Sequence, residues 1–112
     1  MATIFHIAKR GEWESARREG VYRTRTLASE GFIHCSRSDQ VIRVADTLFR
    51  GRKGLVLLEI ETRQVGAEIR HENREGGQEL FPHIYGALDL GAVVRVVAFE
   101  PGEDGSFAMP PS

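Results

Sequence analysis

The sequence predicts one small α+β domain in which two early helices pack on a mixed, mostly antiparallel sheet. Three observations predict it. A chain of 112 residues has the length of one domain and can bury one modest core. Val41, Val44, Ala45 and Leu48 recur at helical spacing, with Ile42 and Phe49 widening the stripe. Short runs rich in β-branched and aromatic residues lie on both sides of that stretch, so the order is β-α-β-α and then several strands.

Thr3–Ala8 (TIFHIA) reads as the first strand. Glu12–Glu19 follows as a short helix, because Trp13, Ala16 and Arg17 share a face and Gly20 supplies a stop. Val21–Leu27 reads as extended chain or loop, and Gly31–Cys35 as the second strand. Ser36 or Ser38 is expected to cap the helix that stops before Gly51, since a serine hydroxyl accepts from free first-turn amides. Gly54–Glu61 (GLVLLEIE) is the clearest strand and Ala67–His71 a weaker one. Residues 72–79 (ENREGGQE) are polar and contain Gly76-Gly77, the signature of a turn. Leu80–Gly86 (LFPHIYG) reads as irregular, because Pro82 cannot donate to a ladder. Ala92–Phe99 is the last strand. Residues 1–100 then form the domain, and residues 101–112 (PGEDGSFAMPPS) a flexible C-terminal tail with little to pack.

With 15 Lys and Arg against 16 Asp and Glu, the net charge of −1 lacks the basic excess of a nucleic-acid footprint. The single cysteine, Cys35, permits no internal disulfide and fits a reducing compartment. The first residues lack the apolar core of a signal peptide, and no apolar run is long enough to span a bilayer. A cytoplasmic, bacterial-type protein without a membrane partner is expected. No Gly-rich phosphate loop follows the first strand, and GRKG at 51–54 does not open a helix, which excludes a P-loop or dinucleotide fingerprint.

Two short strings concentrate reactive side chains. In EGFIHCS (residues 30–36), strand alternation puts Ile33 and Cys35 on one side and Phe32, His34 and Ser36 on the other. With Ile33 facing the core, Cys35 reads as a buried, inert thiol, and a base for it would have to be His6 or His83. Ser36 either caps the following helix or touches a ligand. In LFPHIYG (residues 80–86), Phe81, His83 and Tyr85 combine stacking faces with hydrogen-bond donors, and Gly86 lets the chain turn where a side chain would clash. His6 lies between Ile4 and Ala8 on its face of the first strand. His6, His34 and His83 thus sit in apolar or aromatic sequence, where imidazole needs hydrogen-bond partners. His71, beside Glu72, reads as surface. His6, His34 and His83 with Glu72 or Glu79 have the ligand types of zinc or iron. No HxH, HExxH or CxxC spacing supports such a centre, and no metal is expected.

IFHI at residues 4–7, Trp13, Gly20 and Tyr22 in GVY, EGFIHCS, Gln40 and LFPHIYG together resemble the bacterial family called domain of unknown function 952. The resemblance runs from about residue 3 to residue 99. It implies a fold similar to the ADP-ribosyltransferase superfamily, a split antiparallel sheet with an NAD-binding cleft. It implies that His6, on the first strand, holds the nicotinamide-side ribose. Tyr22, Phe32 or Tyr85 would stack on nicotinamide, and Glu72 or Glu79 would orient the ribose hydroxyl. His34 and His83 are extra, which is closer to the His-rich branch that processes phosphorylated RNA termini.

Three functional readings follow. The first is an ADP-ribosyl-transfer-like enzyme with NAD as substrate. There His6 and His34 bind ribose or phosphate oxygens, an aromatic ring stacks, and Glu72 or Glu79 places negative charge beside a developing oxocarbenium ion. The second is a non-catalytic module that binds a nucleotide or small metabolite in the same cleft. The third is a metal-dependent or Cys/His hydrolase using His34, His83 and Cys35.

Overall fold

A computed structural model describes residues 2–111 of the chain. In order, its elements are β1 (Thr3–Lys9), α1 (Arg10–Glu19), β2 (Val21–Tyr22), α2 (Arg25–Glu30), β3 (Ile33–His34), α3 (Val41–Leu48), β4 (Leu55–Glu61), β5 (Glu68–Glu72), β6 (Phe81–Tyr85), β7 (Leu88–Asp89) and β8 (Val93–Phe99). Short 3-10 turns cover Thr62–Gln64 and Leu90–Ala92. The strands form three sheets, β1-β4-β8, β2-β7 and β3-β6-β5, and every pairing between them is antiparallel. The expected α+β domain is present, with an antiparallel rather than mixed sheet and three helices rather than two. No helix among the described residues is long and apolar enough to cross a membrane.

β4 organises the core because it is apolar on both faces, the pattern of a strand covered on each side. Val56, Leu58 and Ile60 face one cluster with Ile4, Ala8, Trp13 of α1, Ile33 and Ile84. Leu55 and Leu57 face a second cluster with Phe5, Val41 and Ala45 of α3, Phe99 and Phe107. The first and third sheets are joined at one bridge, where the Phe5 and Ser36 backbones exchange hydrogen bonds of 2.8 Å in both directions.

Several expectations are corrected. Val21–Leu27 is not all extended: Thr24 caps α2, its hydroxyl accepting from the Leu27 N–H at 3.0 Å, and α2 ends at Gly31 with φ of 89°. The helix was hidden because it buries no residue and so has no apolar stripe. The second strand is shorter than Gly31–Cys35, and neither Ser36 nor Ser38 caps α3. Ser36 is held in the bridge to Phe5, and Gln40 occupies the cap position without capping the helix through its side chain. The fully buried Gln40 amide instead accepts from the Arg37 N–H and donates to the Leu80 carbonyl at 2.8 Å.

Leu80–Gly86 is not irregular. Phe81–Tyr85 is the middle strand of its sheet, Pro82 included. The Cys35 N–H donates to the Pro82 carbonyl at 3.0 Å, so the polar edge of Pro82 faces β3. The return bond that a proline cannot make is missing there, and β3 pairing ends at His34. The β5 side of the ladder is untouched and runs through His71 opposite Pro82. Gly86 confirms the expected close approach: a Cβ there would lie 2.8 Å from the Ala67 Cβ.

The C-terminal segment, expected to have little to pack, sends Phe107 into the second cluster, stacked on Phe99 at 4.7 Å between ring centres. The Phe107 N–H also donates to Asp46 at 2.8 Å. Residues 1 and 112, the outer ends of the expected domain and tail, lie outside the described residues.

Candidate functional site

Strand alternation sorts the chemistry of the β3-β6-β5 sheet onto one face. Ile33, Cys35, Ile69 and Ile84 turn inward to the first cluster. Phe32, His34, Phe81, His83, Tyr85, Arg70 and Glu72 share the opposite parity, with His34 directly across from His83 and Arg70 across from His83 on the other side. The Phe32 ring is almost fully buried and forms the platform of this face. His83 stacks on it at 4.2 Å, with His34 at 4.7 Å and Tyr85 at 5.3 Å between centroids.

Glu72 fixes His83. Its Oε2 accepts from His83 Nδ1 at 2.9 Å and from the Tyr85 hydroxyl. These two donors, Tyr85 first, hold the Glu72 carboxyl below its ordinary range, so it is ionised. A carboxylate only accepts, so the imidazole proton sits on Nδ1. In neutral His83 the Nε2 lone pair is then free, and Nε2 has no partner among the described residues, although the ring lines a cavity. Arg70 lies over the Tyr85 ring with its guanidinium carbon 4.3 Å from the centroid, which steadies the hydroxyl on Glu72. His34 has its own carboxylate, Glu30, at 3.3 Å from Nε2.

His6 is arranged differently. Its Nδ1 donates to the His34 carbonyl at 2.5 Å, which leaves Nε2 to accept from the Tyr22 hydroxyl at 2.8 Å. Burial pushes its pKa down from 6.5 to about 4, so the ring is neutral. Both nitrogens are thus engaged in tying β1 and β2 to β3. Tyr22 is 1% exposed and supplies a hydrogen bond to His6, with its own ionisation pushed upward by burial. Cys35 is buried, and burial likewise raises its thiol pKa, so it carries no thiolate at neutral pH.

The cavity measures about 590 Å³ and lies between α3, β1, the start of α2, the end of β3 and the loop after β5. His6, Tyr22, His34, Ser36, Glu72 and His83 line it. Phe32 and Tyr85 stand behind it and support His83 rather than line it. Glu79 is also elsewhere. It accepts from both Arg43 guanidinium nitrogens and from Gln40 Nε2 at 3.0 Å, an arrangement that holds its pKa down at about 2. This clamp joins α3 to the segment entering β6. No group of three His, Cys, Asp or Glu side chains among the described residues is placed to hold a metal ion.

Three contributors were not singled out from the sequence. Glu30 pairs with His34, and Arg25 and Arg74 line the cavity. The i,i+4 relation of Glu30 to His34 was the available signal.

Residues 7–96 match the family described as protein of unknown function DUF952, and the chain belongs to that family. The crystal structure of protein CC0527 from Caulobacter crescentus is similar at a TM-score of 0.85 and 32% identity, covering 96% of this chain and 94% of that one. The solution NMR structure of CC0527 is similar at a TM-score of 0.82 and 34% identity, covering 95% and 91%. No curated protein matches the chain.

Proposed function

We propose that the chain is an acid–base enzyme in which His83, oriented by Glu72, exchanges a proton with a small ligand held in the cavity. One observation carries this reading. An ionised, doubly hydrogen-bonded carboxylate sets the tautomer of a buried imidazole and leaves its Nε2 lone pair unpartnered in a ring that lines the cavity. Long-range proton–nitrogen NMR on His83 tests it. The neutral ring should carry its proton on Nδ1, and Glu72→Ala should shift the population toward Nε2–H. An Nε2–H tautomer in the unmodified chain refutes the assignment.

A second reading, transfer of ADP-ribose from NAD on an ADP-ribosyltransferase-like fold, is favoured by Glu72. Its Oε1 has no partner among the described residues, and the residue lines the cavity as an anion able to stabilise an oxocarbenium ion. Glu79 is ill suited to that role because its carboxylate is clamped outside the cavity. NMR titration with NAD, ADP-ribose and nicotinamide separates the readings. Saturable shifts at His34 and His83 with nicotinamide release support transfer, and saturable binding without turnover supports a binding module. No shift at millimolar NAD removes the NAD reading.

A further inference from the structure

The cavity has two chemically distinct ends. The His83 end is polar. The other end runs along α3 and β1, where Ile7, Val44, Leu48, Phe49 and Leu55 line it. The sequence of α3 explains the division. Val41 and Ala45 are wholly buried in the second cluster, whereas Val44 and Leu48 sit on the row facing the cavity, and Leu48 is left 68% exposed. Ile42 and Phe49 also pack against the second cluster, so the edge of the stripe left uncovered is Leu48, with Val44 half-buried beside it. About 590 Å³ is well beyond the space a lone ring or phosphate needs, and lies within the roughly 300–1,000 Å³ of sites that enclose a larger ligand.

We infer that the ligand of this cavity is an amphiphile, a straight aliphatic chain on a polar head. The chain lies along Val44 and Leu48 of α3, and the head reaches His83. This rests on the acid–base reading for the role of the head, but the chain subsite has its own physical signature. Lys9, Arg43 and Thr47 also line the cavity on these elements, but the five apolar side chains gain from every methylene laid against them. Arg25 and Arg74, which line the cavity together with the carboxylates Glu30, Glu72 and Glu75, supply the cations for a carboxylate head.

The test is an NMR titration of the full chain with sodium butyrate, hexanoate and octanoate. Affinity should rise ~4-fold for each added methylene, the value of burying one CH₂ group. The shifts should centre on the Val44, Leu48 and Phe49 amides. Leu48→Glu, at an exposed position that the fold tolerates, should flatten the series, whereas His83→Gln should leave its steepness intact. A flat series in the unmodified chain, or one unchanged by Leu48→Glu, overturns the inference. If the series is flat while the His83 tautomer responds to Glu72→Ala as stated, the chain subsite alone falls. If the series is steep and the tautomer does not respond, the chain subsite stands and the acid–base reading falls.

Discussion

Lowering the pH from 7 to 4 should destabilise the protein through His6. The ring holds its proton more weakly in the folded chain, with a pKa of about 4, than at its ordinary value of 6.5. Between those two values the unfolded chain binds more protons, so stability is flat above the unfolded value, falls through the window and levels off below about 4. At 1.4 kcal/mol per pH unit the loss is about 3 kcal/mol, a large part of the ~5–15 kcal/mol that holds a small domain together. The groups facing His6 are the Tyr22 hydroxyl, the backbone carbonyl of His34 and the His34 ring, none of them an anion that would retain the proton. The assay is urea unfolding at pH 7, 6, 5 and 4, followed by fluorescence of the single tryptophan, Trp13. His6→Gln should remove most of the slope between pH 6.5 and 4.5, whatever its stability at pH 7. Carboxylates held low, such as Glu72 and Glu79, lose their contribution only as pH falls below their ordinary range, and the comparison with His6→Gln separates His6 from the three other histidines. Parallel loss in both proteins across that window refutes the account of His6.

Phe107→Ala should lower stability by about 3 kcal/mol, because it opens a cavity against Phe99, and the urea midpoint at pH 7 measures it. Gly86→Ala should cost about 1–3 kcal/mol through the clash with Ala67. Adding Ala67→Gly should recover much of that loss, so a double-mutant cycle that shows no coupling removes the contact as the cause.

The elements legible in the sequence were those whose periodicity matches their burial. α3 and β4 show this, the first with a wide stripe and the second apolar on both faces. α2 was illegible because only Leu27 packs against the core and no residue of the helix is fully buried, so no apolar stripe marks it. Pro82 misled for a different reason. A missing N–H interrupts only the neighbour it faces, and sequence alone does not say which neighbour that is. Phe107 lies among Gly, Pro and polar residues, so no pattern announced that it would find Phe99. In the site, the two strings EGFIHCS and LFPHIYG did bring His34, His83 and Tyr85 together, and Glu72 joined them. What alternation could not separate was the histidine with an open nitrogen, His83, from the one with none, His6. That distinction depends on Tyr22 and the His34 carbonyl, which arrive from distant segments.

The ladder connectivity also bears on how quickly the chain assembles. Thr3 pairs with Glu61, Tyr22 with Leu88 and His34 with His83, so most sheet contacts close long loops before they gain anything. Such topologies fold slowly for their size. β5 and β6 are the exception, a hairpin whose Glu72 and Phe81 are paired across one short loop. The whole Glu72–His83–Tyr85 arrangement belongs to that hairpin. The reactive half of the cleft therefore has a local route to formation, and its α3 wall waits for the chain to close around β4.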